Sequence, residues 1–130
     1  TCLPNGKIVR DAVLADGGVA EGMAEGSVLV DMSSSAPMGT IALGKELAER
    51  GIRMVDAPVS GGVPRAIEGT IAIMVGGEKE DIEKVRPALE TMGGQIFETG
   101  GLGSVDILLV GNRHRWLLAA LNCTGIEPIA

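Results

Sequence analysis

Asp56-Ala57-Pro58-Val59-Ser60-Gly61-Gly62-Val63-Pro64-Arg65-Ala66 is followed, after Ile67 and Glu68, by Gly69-Thr70-Ile71-Ala72-Ile73-Met74-Val75-Gly76-Gly77. Met54-Val55 leads into this stretch as a short apolar run, the pattern of a buried strand that ends at Asp56-Ala57-Pro58. A glycine turn follows at Ser60-Gly61-Gly62, with a short helical turn expected at Pro64–Ile67. Thr70 to Val75 is apolar at alternate and intervening positions alike, so it reads as a strand covered on both faces and closed by Gly76-Gly77.

The segments on either side repeat this alternation of strand and helix. Downstream, Ile82, Val85, Leu89 and Met92 recur three or four residues apart and predict a helix over Lys79–Met92. Pro87 lies inside it and is expected to kink or break it. Gln95-Ile96-Phe97 is a last short strand. Upstream, a helix is expected from Pro37 to Arg50, with Ser33-Ser34-Ser35 as its cap, Pro37 in the first turn and Gly51 as its stop. Val28-Leu29-Val30 reads as a buried strand before Asp31, Ile8–Leu14 as a short helix, and Thr1–Asn5 as a strand end running into a loop. The expected fold class is α/β: a mostly parallel sheet flanked by helices, with a final antiparallel portion.

Composition bounds the partners. The 130 residues suit one compact domain, and 45% hydrophobic residues suffice for a core. Aromatics are only 2%, so the core must be aliphatic. A net charge of −6 argues against nucleic acid, which needs a basic face. No apolar stretch reaches the roughly 18–20 residues of a membrane span. Cys2 and Cys123 show no metal-binding spacing and are expected to be buried or inert rather than bridged, so no metal site and a cytoplasmic location are expected. His114, between Arg113 and Arg115, reads as part of a solvated charged patch.

The turn at Ser60, Gly61 and Gly62 carries the clearest chemistry. Two glycines let backbone N–H groups approach an anion, and the hydroxyl adds a directed hydrogen bond. That suits a carboxylate, although the same triplet also serves ordinary turns. Asp56 and Arg65 are complementary in charge and could pair.

The long run from Asp56 to Gly77 resembles the β-hydroxyacid dehydrogenase family, as do Leu3-Pro4-Asn5 and Gly26-Ser27-Val28-Leu29-Val30-Asp31-Met32-Ser33-Ser34 in the same order. The resemblance covers about residues 1–104 and implies the later part of an NAD(P)-binding, Rossmann-like domain. It implies that Leu3 and Pro4 lie along an NAD or NADP cofactor and that Ser34 sits near its nicotinamide end. It implies that Ser60, Gly61 and Gly62 hold the carboxylate of a small β-hydroxy acid. Each position also has a plainer reading: Leu3-Pro4 as a strand exit, Ser34 as a helix cap, Gly61-Gly62 as a turn.

Two of the family's parts are missing. No Gly-x-Gly-x-x-Gly turn precedes the matched region, and in Gly101-Leu102-Gly103 the third glycine position is Asp106. Continuing the resemblance puts Leu109 where the family has its catalytic lysine, and no lysine follows Lys84. Leucine can neither donate nor accept the proton. No catalytic residue is therefore assigned. Residues 105–130 are expected to form a divergent tail, compatible with a helix weakened by Gly111, after a truncation or change of reading frame near residue 104. The expected activity is that of a fragment of an oxidoreductase acting on a short β-hydroxy acid, inactive alone. The alternatives are a non-catalytic nucleotide- or anion-binding remnant, or a self-associating one whose exposed sheet edge allows a homo-oligomer.

Overall fold

A computed structural model describes residues 1–105. Five strands, β1 (Val28–Asp31), β2 (Arg53–Asp56), β3 (Val59–Ser60), β4 (Ile71–Gly76) and β5 (Gly93–Gly100), form one sheet. Helices α1 (Gly6–Leu14), α2 (Pro37–Ala48), α3 (Gly62–Ile67) and α4 (Lys79–Glu90) connect them, with a 3-10 turn at Val19–Gly22. The expected α/β class, with a sheet flanked by helices, is what the chain forms.

The sheet runs in two directions. β1 and β2 are parallel, from Val28 opposite Arg53 to Asp31 opposite Asp56. β4 and β5 are also parallel to each other, while β4 is antiparallel to β2 and β3. The pairs Asp56 with Gly76, Val59 with Ile73 and Ser60 with Ala72 lie on one continuous antiparallel register. The Met74 N–H donates to the Pro58 carbonyl at 3.0 Å, within that same register. Pro58 has no N–H to return, which is why the ladder is broken there and β2 and β3 count as separate strands. Asp56 to Ser60 is in effect one strand that ends at the glycine turn.

Helices α1, α2 and α4 each bury one stripe. Val9 and Val13 of α1 and Leu43 and Leu47 of α2 pack on Leu29 and Met54, with Ile52, on one face of the sheet. Ile82 and Leu89 of α4 pack on Val55, Ile73 and Val75 on the other. Neighbours in sequence, Met54 and Val55, thus serve opposite cores, as the two-residue repeat of a strand requires. Val28 and Val30 of β1 and Val85 and Met92 from the α4 side also line a groove of about 460 Å³.

Two local expectations fail. The residue that caps α2 is Ala36, which makes no side-chain cap bond, so neither Ser34 nor its neighbours cap this helix. Pro37 occupies the first turn, as expected, and its fixed φ sets the helix start without a capping hydroxyl. Of the kink or break expected at Pro87, the break does not occur, because α4 continues through it to Glu90. Pro87 faces solvent, where the Glu83 carbonyl that its ring deprives of a partner can bind water. The long tail 106–130, including Leu109, His114 and Cys123, lies outside the described residues.

Candidate functional site

The carboxyl ends of β1 and β2 define the site. Asp31 and Asp56, the last residues of these parallel strands, stand opposite each other, and the Ala57 N–H donates to the Asp31 carbonyl at 2.7 Å. Thr1 lies along the outer side of β1: its amino group donates to the Val30 carbonyl, and the Met32 N–H donates to the Thr1 carbonyl at 2.8 Å. That bonding, to residues either side of Asp31, is the pattern of a parallel neighbour. Thr1 therefore sits as a strand end, as read from the sequence. Leu3-Pro4 and Ser33-Ser34 leave the sheet at this edge, while β2 runs on through Ala57 and β3 to the glycine turn. In open α/β sheets, ligands bind in the crevice outside the carboxyl ends of the strands.

A buried polar hub ties the first two segments together. Asp31 is only 2% exposed, and its Oδ1 accepts from the Thr1 hydroxyl at 2.9 Å and the Ser33 N–H at 3.1 Å. The Ser33 hydroxyl, also buried, accepts from the Leu3 N–H at 2.8 Å. Leu3 is half-buried against the α1–α2 core, whereas Pro4 and Ser34 face solvent. The Leu3–Ser33 bond holds the Leu3-Pro4 segment to the segment that carries Ser34. Sequence reading missed Asp31 and Ser33, because an acid or a serine after a strand has many plainer roles.

The glycine turn has a backbone that favours glycine. Ser60 is half-buried at the end of β3, and Gly61 and Gly62 are exposed. Gly61 has φ +136° and Gly62 φ +68°, conformations that favour glycine. A Cβ on Gly61 would lie 2.7 Å from Arg65 Cδ. The turn is held from outside by the long antiparallel register with β4, so the hydroxyl and the following N–H groups start from a fixed frame.

Asp56 does not pair with Arg65. Its buried carboxylate accepts the Gly103 N–H at 3.1 Å, linking β2 to the turn after β5. Gly76 makes room for this contact, since a Cβ there would lie 2.6 Å from Asp56 Oδ1 and 2.9 Å from the Gly101 carbonyl. Thr99 reinforces the turn by donating to the Val75 carbonyl at 3.0 Å and bonding the Ser104 hydroxyl at 2.9 Å. Cys2 is exposed and free, not buried. No group of three or more His, Cys, Asp or Glu among the described residues could hold a metal ion. No helix among them is long and apolar enough to cross a membrane.

The family model for the NAD binding domain of 6-phosphogluconate dehydrogenase matches residues 1–101. The 2-(hydroxymethyl)glutarate dehydrogenase of Eubacterium barkeri is 43% identical over 112 residues, which is 86% of this chain and 37% of that protein. The 3-hydroxyisobutyrate dehydrogenase of Pseudomonas aeruginosa is 37% identical over 128 residues, 98% of this chain and 42% of that protein. That alignment extends past residue 104 into the segment read from sequence as divergent. The structure of Mycobacterium tuberculosis 3-hydroxyisobutyrate dehydrogenase with L-serine superimposes with a TM-score of 0.81 at 28% identity, over 98% of this chain and 46% of that one. The chain thus spans less than half the length of the relatives it matches.

Proposed function

The chain belongs to the β-hydroxyacid dehydrogenases built on the NAD binding domain of 6-phosphogluconate dehydrogenase, and from that premise we propose that it forms the later part of the cofactor domain of an enzyme interconverting a short β-hydroxy acid and its semialdehyde. NAD or NADP is the cofactor by the same resemblance. The observation that carries the reading is the shared edge. Ser34 follows the carboxyl end of β1, the strand leading to Ser60-Gly61-Gly62 follows that of β2, and Leu3-Pro4 is tied to Ser33 by the hydrogen bond from the Leu3 N–H.

The residues fit one end of a nicotinamide dinucleotide. Leu3 offers an apolar surface held by the Ser33 hydroxyl, while Pro4 and Ser34 are exposed beside it. When bound there, the nicotinamide supplies a hydride acceptor for the carbon that bears the substrate hydroxyl. Ser60, Gly61 and Gly62 hold the substrate carboxylate through the hydroxyl and backbone N–H groups, which fixes the orientation of the remaining carbons. A proton-transferring lysine is not supplied, since the aligned position is Leu109. The 130-residue chain is accordingly a partial site, able to bind and orient but not to turn over.

Titrating the isotope-labelled 130-residue chain with 3-hydroxyisobutyrate, followed by amide NMR, tests the cradle. The expected result is saturable shifts centred on Ser60 to Val63, weakened about tenfold in Ser60→Ala by loss of a charge-assisted hydrogen bond. Shifts absent from this turn at saturating acid would refute the assignment.

A further inference from the structure

Arg65 stands at the wall of the glycine turn with no partner for its charge among the described residues. Among the described residues, only Arg65 and Arg86 are half-buried basic side chains; the other lysines and arginines are exposed. Arg86 is matched by Glu83 and Glu98. The Arg65 side chain takes part in none of the hydrogen bonds or ion pairs formed by the described residues. Partial burial costs a guanidinium some of its hydration, and a partner ordinarily offsets that cost.

The position of the stem is specific. A Cβ on Gly61 would lie 2.7 Å from Arg65 Cδ, 3.0 Å from its Cβ and 3.3 Å from its Cγ. The aliphatic stem therefore lies against the bare face of Gly61, and the guanidinium begins at the next atom along. The glycine has a second use here besides its φ of +136°: it leaves the volume that the stem fills. The backbone of Arg65 is anchored as well, because its carbonyl accepts the Thr70 N–H at 2.8 Å at the start of β4.

We infer that Arg65 is a specificity-determining residue that receives a second anionic group of the substrate, so that the turn selects β-hydroxy acids carrying two negative charges over those carrying one. This rests on the carboxylate cradle proposed above. The cradle itself is built from a hydroxyl and backbone N–H groups, which satisfy one carboxylate by hydrogen bonds but bring no net charge. A planar guanidinium alongside offers a paired set of donors suited to a further carboxylate, sulfonate or phosphate. In a chain of net charge −6, a dianion gains little from the general field and depends on such a local cation.

The test compares glutarate with valerate, five-carbon acids with two carboxylates and one, by NMR titration of the 130-residue chain and its Arg65→Gln and Arg65→Lys variants. The wild-type chain is expected to bind glutarate about tenfold or more tightly than valerate, with shifts at Ser60 to Arg65. Arg65→Gln should lose that preference while still binding valerate, and Arg65→Lys should keep part of it because charge survives without the fork. An unchanged preference in Arg65→Gln, or no preference in the wild type when both acids bind the turn, overturns the inference and leaves the cradle standing. If neither acid shifts Ser60 to Val63, the cradle reading fails and this inference falls with it. Unaltered amide spectra away from residues 60–70 show that each variant is folded.

Discussion

Single residues at the site divide into those that touch a ligand in the proposed function and those that hold them in place. Asp31 is of the second kind. Its buried carboxylate joins Thr1 to Ser33, and through Ser33 to the Leu3 N–H. Asp31→Ala leaves buried donors without an acceptor, so unfolding in urea is expected to show a loss of about 1–3 kcal/mol. Asp31→Asn keeps an oxygen acceptor and should lose clearly less. Equal stability of Asp31→Ala and the wild type would show that the hub is not structural. Sequence reading found the glycines at 61 and 62 because their pattern follows from allowed φ values. It did not find Asp31, Ser33 or the Asp56–Gly103 link, because those depend on partners 30 to 47 residues away. The same reason explains why a pairing of Asp56 with Arg65 stayed open in the sequence: complementary charge is visible there, but distance is not.

The strands and helices were more legible, since their signals are local. The four-residue spacing of Val9 with Val13 and of Leu43 with Leu47 marks the buried stripes of α1 and α2. The apolar run of β4 reflects cover on both faces. The exact linkage of β2, β3 and β4 was hidden, because Pro58 reads as a strand end although the register runs on to Ser60. At the other end of the sheet, Arg86 ties α4 to β5 through Glu98 and also bonds Glu83. The hydrogen bond from Arg86 is the main reason the Glu83 carboxyl titrates below its ordinary value of 4.5. Pro87, next in sequence, is a weak point of α4, since it withholds an N–H from the helix interior. Pro87→Ala is expected to raise stability by roughly 1–3 kcal/mol, the restored helical bond being partly offset by a freer unfolded chain. Thermal unfolding reads this directly, and a lower midpoint would mean that the ring makes packing contacts that outweigh the bond.

At the scale of the whole molecule, the fold brings distant segments to one carboxyl edge, where the proposed function places part of a dehydrogenase site. The family was legible because Asp56 to Gly77 is a long run of specific order. The extent of similarity was less so: relatives align over up to 128 residues, beyond the change in composition at Val105. What the chain can do alone follows from the parts it contains. The proposed function gives these 130 residues a carboxylate cradle and one end of a cofactor surface, and they hold no Gly-x-Gly-x-x-Gly turn and no lysine after Lys84. The most direct test is reduction of NAD or NADP by the purified 130-residue chain with 3-hydroxyisobutyrate or glycerate, followed at the nicotinamide absorbance. No turnover above the enzyme-free rate is the expected result, and rapid, protein-dependent cofactor reduction would contradict the account of a partial site.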